Sequence, residues 1–125
     1  MERKLRLNRF TDFRRVRRLG KSYAHPLVLL IASPNQLPQI RVGIVTSRAL
    51  GNAVTRNRIR RRLRACMDER LPSLAPGWDL LLIGRQAIGT ADFGQIHGAV
   101  AGLLERAGLV DVRDNAASTA GRLSQ

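Results

Sequence analysis

Six of the nine residues from Arg56 to Arg64 are arginine: Arg56, Arg58, Arg60, Arg61, Arg62 and Arg64. Guanidinium groups at that density offer planar forks of N–H donors to phosphate oxygens. On a helix, Arg56, Arg60 and Arg64 stack at i, i+4 spacing, with Asn57 and Arg61 on the adjoining ridge. Like charges so spaced destabilise an isolated helix, so their tolerance implies bound phosphates that neutralise them. Asn57 is uncharged and bidentate, suited to a sugar or a base edge. A second basic group, Arg14, Arg15, Arg17 and Arg18, surrounds Phe13. An aromatic ring on a positive surface can stack single-stranded bases. Phe13 also has the spacing of a core residue, and Tyr23 is open to the same two readings.

The charge distribution supports a polyanionic partner. From Phe13 to Met67 there is no Asp or Glu, and that stretch holds thirteen basic residues. The rest of the chain holds nine basic and nine acidic residues, so the whole net charge of +13 sits on less than half of the 125 residues. Unmixed positive charge repels itself and destabilises the compact state, which a nucleic acid would offset. The forty-four per cent of hydrophobic residues is enough for one modest core and excludes a disordered basic tail.

Intrinsic catalysis is not expected. His25 and His97 are far apart, His25 in a loop and His97 as a surface or hydrogen-bonded residue. There is no HExxH, phosphate-binding loop or nucleophile elbow. The basic stretch lacks the clustered acids with which a metal-dependent nuclease holds its ions. The single cysteine, Cys66, cannot form an internal disulfide and is expected buried and inert. No apolar run approaches the ~20 residues of a membrane span, and no hydrophobic region follows the basic N-terminus as in a signal peptide. A cytoplasmic protein with no membrane partner is expected.

Hydrophobic spacing defines the elements that must position these groups. A short helix is expected over about Asp12–Leu19, with Thr11 as N-cap and Gly20 at its end. Leu27–Ala32 reads as a strand buried on both faces, and Ile40–Thr46 as a second strand pairing antiparallel with it. Ser22–His25 can add a short strand. A long helix runs from about Ala53 to Leu71, stopped by Pro72, with Ile59, Leu63, Cys66 and Met67 on its apolar stripe. Trp78–Ile83 is a further strand. Thr90 or Asp92 caps a last helix carrying Ile96, Val100, Leu103, Leu104 and Ala107, and Gly108 ends it. The order defines one α/β (α+β) domain over residues 1–110, a two-layer sandwich on a mixed sheet. Residues 111–125 are polar and small, and read as a disordered tail.

The run Gly51-Asn52-Ala53-Val54-Thr55-Arg56-Asn57-Arg58-Ile59-Arg60-Arg61-Arg62-Leu63-Arg64 closely resembles the signature, called the RNR motif, of the bacterial ribonuclease P protein subunit. Asp12-Phe13, Arg41-Val42-Gly43, Asp79 and Ile83-Gly84-Arg85 agree with that family, and the resemblance spans roughly Leu7 to Gly108. It implies an αβββαβα fold with a mixed four-stranded sheet and a left-handed βαβ crossover at the RNR helix. It implies a protein that binds a large catalytic RNA and, with it, removes the 5′ leader of precursor tRNA. The RNA, with magnesium ions, carries the chemistry, and the protein supplies no catalytic side chain and no metal ligand. One protein monomer per RNA is expected. Carried over residue by residue, RNA-subunit binding falls to Arg48, Asn52, Arg56, Asn57, Arg58, Arg60, Arg61 and Arg64. Leader binding falls to Phe13, Arg14, Arg17 and Leu30.

This chain departs from the family pattern in three places. Arg17 stands where a second aromatic is usual, Leu27, Leu29 and Leu30 replace aromatics on the leader-facing strand, and Ala49 after Arg48 leaves one charge fewer. A ribosomal or general structured-RNA-binding protein is the competing reading, since the fold also resembles domains of a small-subunit ribosomal protein and of elongation factor G. A self-sufficient nuclease is disfavoured by the missing acid clusters.

Overall fold

Leu80, Leu81 and Leu82 are each fully buried. Successive strand residues point to opposite faces, so three in a row can be buried only where both faces of the sheet are covered. Their strand, β4 (Trp78–Gly84), accordingly sits inside a four-stranded sheet with β1 (Lys21–Ala24), β2 (Val28–Pro34) and β3 (Arg41–Val45), in the order β1-β2-β4-β3. The computed structural model describes residues 5–7 and 9–110. The tail expected over residues 111–125 and most of the basic N-terminal stretch lie outside the described residues.

The sheet is mixed: β1 and β4 run antiparallel to β2, whereas β3 runs parallel to β4. The expected antiparallel pairing of the second and third strands is therefore corrected, because β4 lies between them. β4 pairs with β2 along one edge and with β3 along the other. The outer edge of β3 is partly closed by the N-terminal segment, where Leu7 N–H donates to Val42 O at 2.8 Å. The parallel β3–β4 pair requires a crossover, supplied by α2 (Ala53–Arg70).

Helices α2 and α3 (Phe93–Arg106) cover one face and form the larger core with Val28, Leu30, Val42, Leu80 and Leu82. This is the main two-layer packing. The α2 stripe of Ile59, Leu63, Cys66 and Met67 is buried as its spacing requires. Truncating Leu63 to Ala there costs about 2–5 kcal/mol. Helix α1 (Phe10–Leu19) covers part of the opposite face, where Val16 packs with Leu7, Ile31 and Leu81.

The helices start and end in different ways. Asp92 caps α3 in a reciprocal capping box with Gln95, and Gly108 follows with a φ of +70°. Thr11 is not the cap of α1: the helix begins at Phe10, two residues earlier than expected, after Arg9, which makes no side-chain capping bond. Gly20 ends α1 in an extended conformation, φ −79°. What it requires is space, since a Cβ would meet Val16 O at 2.5 Å and Ile31 Cγ2 at 2.6 Å.

Candidate nucleic-acid interface

The RNR helix begins at Asn52, whose Oδ1 accepts the Thr55 N–H at 2.9 Å. Asn52 is thus committed to the cap, which removes an orphan donor and fixes where the arginines start. Burial of Ile59, Leu63, Cys66 and Met67 sets the rotation of α2, and the arginines fall on both sides of that stripe. Asn57, Arg60, Arg61 and Arg64, with the exposed Val54, line one recess of about 700 Å³. Arg58, Arg61 and Arg62, with Ala65 and Phe93 of α3, line a second of about 240 Å³. Arg61 belongs to both.

Asn57 does not present a free bidentate edge. Its Oδ1 accepts from Arg60 Nη1 at 2.6 Å and orients that guanidinium. Arg56 is half-buried, with its Nε out of contact with solvent and lacking a hydrogen-bond partner. Arg48 is exposed in a 3-10 turn, Arg48–Leu50, just ahead of α2. The assignments carried over from the resemblance leave out Arg62, whose Nη1 donates to Ala91 O at 3.3 Å, and sequence reasoning missed Phe93, which comes from a distant element.

On the other face of the sheet, α1 exposes Arg14, Arg17 and Arg18. Phe13 is half-buried: it packs against the smaller core and lies so close to Gly43 that a Cβ there would meet its Cε1 at 2.7 Å. Both sequence readings of Phe13 thus meet in one residue, part core and part surface. Leu30 is corrected. It is fully buried and belongs to the core under α2 and α3, on the face opposite α1. Strand alternation gives the α1 side to its neighbours Leu29 and Ile31 instead. Phe10 was overlooked because it lay outside the expected helix. Its ring is 72% exposed, with the Arg14 guanidinium 5.7 Å from its centroid.

The remaining reactive groups are accounted for locally. Cys66 is fully buried, and burial, assisted by Glu69, pushes its thiol up to about 11. His97 Nε2 pairs with Glu69 Oε2 at 2.6 Å. His25 Nδ1 accepts from Leu27 N–H. Among the described residues no group of three His, Cys, Asp or Glu side chains could hold a metal ion, and no helix is long and apolar enough to cross a membrane.

An arginine-lined helix on a mixed α/β sheet, with basic and aromatic groups on the opposite face, defines an α/β protein with two surfaces suited to a polyanion. The comparisons narrow the class. The family model described as "Ribonuclease P" matches residues 1–108. The ribonuclease P protein component of a Roseiflexus species is 39% identical over 122 residues, covering 97% of this chain and 100% of that protein. The Staphylococcus aureus RNase P protein structure superposes with a TM-score of 0.80 at 28% identity, covering 86% of this chain and 98% of the other. That from Thermotoga maritima gives 0.75 at 27%, covering 81% and 96%. The chain belongs to the ribonuclease P protein family. Proteins of this family are the non-catalytic subunits of a ribonucleoprotein endonuclease.

Proposed function

We propose that this chain binds the catalytic RNA of ribonuclease P through α2, and that the exposed side of α1 meets the single-stranded 5′ leader of precursor tRNA. The observation that carries the reading is the flank of Asn57, Arg60, Arg61 and Arg64, fixed in rotation by the buried stripe and in register by the Asn52 cap. Arg48 is exposed just ahead of α2, and Arg58 lines the recess on the other flank. Guanidinium forks matched to phosphate oxygens suit such a flank, and Asn57 orients that of Arg60. On α1, Phe13 and Arg17 stand one turn apart, and Phe10 and Arg14 continue the same side toward the N-terminus. A strand crossing there meets two rings and two guanidinium planes, which offsets the absence of an aromatic at position 17.

Hydrolysis and its magnesium ions belong to the RNA in this reading, and the protein acts in the cytoplasm as one monomer per RNA. The test is equilibrium binding of the RNA subunit across a salt series. If ~5 phosphates are contacted at ~0.7 per contact, log K falls by roughly 3.5 per decade of salt. A slope near zero would refute a phosphate-led interface.

A further inference from the structure

The second flank of α2 differs from the first in having an aromatic floor. Phe93 is the first residue of α3, and its ring is 39% exposed. The core of α3 is built without it, from Ile96, Ala99, Val100, Leu103 and Leu104. The backbone beneath the ring is fixed by the capping box of Asp92 and Gln95, whose two hydrogen bonds are 2.8 and 2.9 Å. On one side stands His97, ring centroids 6.0 Å apart and planes at 40°, itself held by Glu69. Arg58, Arg61 and Arg62 of α2 line the same recess as the ring. Arg62 is tethered to Ala91 O, and Arg58 and Arg61 have no carboxylate partner among the described residues.

We infer that Phe93, bordered by Arg58, Arg61 and Arg62, is a stacking site for one unpaired base of the RNA that α2 binds. This rests on the RNA-binding reading of α2 and goes beyond it by assigning a base contact to α3. Size supports a single planar group: about 240 Å³ is below the ~300–1,000 Å³ of sites that enclose whole small molecules. Adjacency supports a nucleotide. Arg61 joins this recess to the flank of Asn57, Arg60 and Arg64, which has no aromatic lining, so a phosphate-binding surface and a stacking surface lie side by side. Charge excludes most alternatives, since a recess lined by three arginines repels a basic partner. An acidic protein segment is the remaining candidate, and the shared Arg61 favours RNA over it.

The experiment uses the full chain and the catalytic RNA subunit as ligand, with Phe93→Leu, Phe93→Tyr, Arg58→Ala and Arg60→Ala measured across salt. Phe93→Leu keeps an apolar side chain on α3 but loses the π-face. It is expected to weaken binding about 5- to 150-fold with the salt slope unchanged, because stacking releases no counterions. Phe93→Tyr is expected to restore binding, and Arg58→Ala to weaken it with a slope shallower by about 0.7–0.9. Wild-type affinity in Phe93→Leu, alongside weakening by Arg60→Ala, would overturn the stacking site and leave the RNA reading intact. A loss in Phe93→Leu that Phe93→Tyr fails to restore would overturn it too. Wild-type affinity in both Arg60→Ala and Phe93→Leu would overturn the RNA reading itself.

Discussion

Arg41 grips Asp79 with two parallel hydrogen bonds, Nε to Oδ1 at 2.9 Å and Nη2 to Oδ2 at 2.8 Å. The carboxylate is fully buried and is also reached by Arg15 from α1 and by Asn35 Nδ2 at 2.9 Å. One buried anion thus ties β3, β4, the loop after β2 and α1 together. It holds the helix that carries Phe10, Phe13 and Arg17 against the sheet.

Removing that anion leaves Arg41 and Arg15 facing each other without a counterion. Asp79→Ala is expected to destabilise the fold by about 3–5 kcal/mol, the range for breaking one half of a buried pair. Chemical denaturation checks it. Donating hydrogen bonds to Asp79 raises the Arg41 pKa above its ordinary value. The contribution of Arg41 is therefore complete below that ordinary value and lost only as pH rises through the raised one. Alkaline titration short of the arginine range should leave the pair intact.

Cys66 gives a pH dependence that is accessible. Its thiol is pushed up to about 11 in the folded protein. The stabilising effect of keeping it neutral is present below the ordinary thiol pKa and lost as pH climbs toward the raised value. Thiol reagents at mildly alkaline pH should react with the unfolded chain and leave the native one unmodified. Rapid native labelling would show that the stripe of α2 is open.

Arg60→Ala and Arg64→Ala are expected to weaken binding of the RNA subunit and to lower its salt slope by about 0.7–0.9 each, with circular dichroism unchanged. Arg56→Ala should differ, because its half-buried side chain, with an unpartnered Nε, makes it part of the packing as well as the charge. A loss of thermal stability in Arg56→Ala that the other two lack would express that difference.

Leader recognition is separable from general charge on α1. Phe10 is so exposed that Phe10→Ala leaves no cavity, whereas Phe13→Ala opens space against Gly43. In assembled holoenzyme, Phe10→Ala and Arg17→Ala should weaken leader-bearing precursor more than mature tRNA. Stacking on a ring is worth about 1–3 kcal/mol per base. Equal losses for both ligands would place these residues in the general field.

Much of this was legible in the chain. Ile59, Leu63, Cys66 and Met67 announced the buried stripe, and their spacing put Arg60 and Arg64 off it, as they lie. The strand order was not legible, because Leu80–Leu82 and Leu27–Ala32 are equally apolar and neither run names its neighbour. Leu30 was misplaced for the same reason: in a strand buried on both faces, period-two alternation carries no label for which face meets which helix. Phe93 could not be found from spacing, since its arginine neighbours lie some thirty residues away. Phe10 was hidden by a helix start that lacks a side-chain cap.

The most direct measurement is cleavage of precursor tRNA at physiological magnesium by the protein freed of RNA, by the RNA subunit alone and by the two together. The protein alone is expected to be inactive, and its addition to the RNA subunit is expected to promote removal of the 5′ leader. Robust cleavage by the RNA-free protein, or no gain when the protein joins the RNA, would contradict a subunit that assists the reaction through binding.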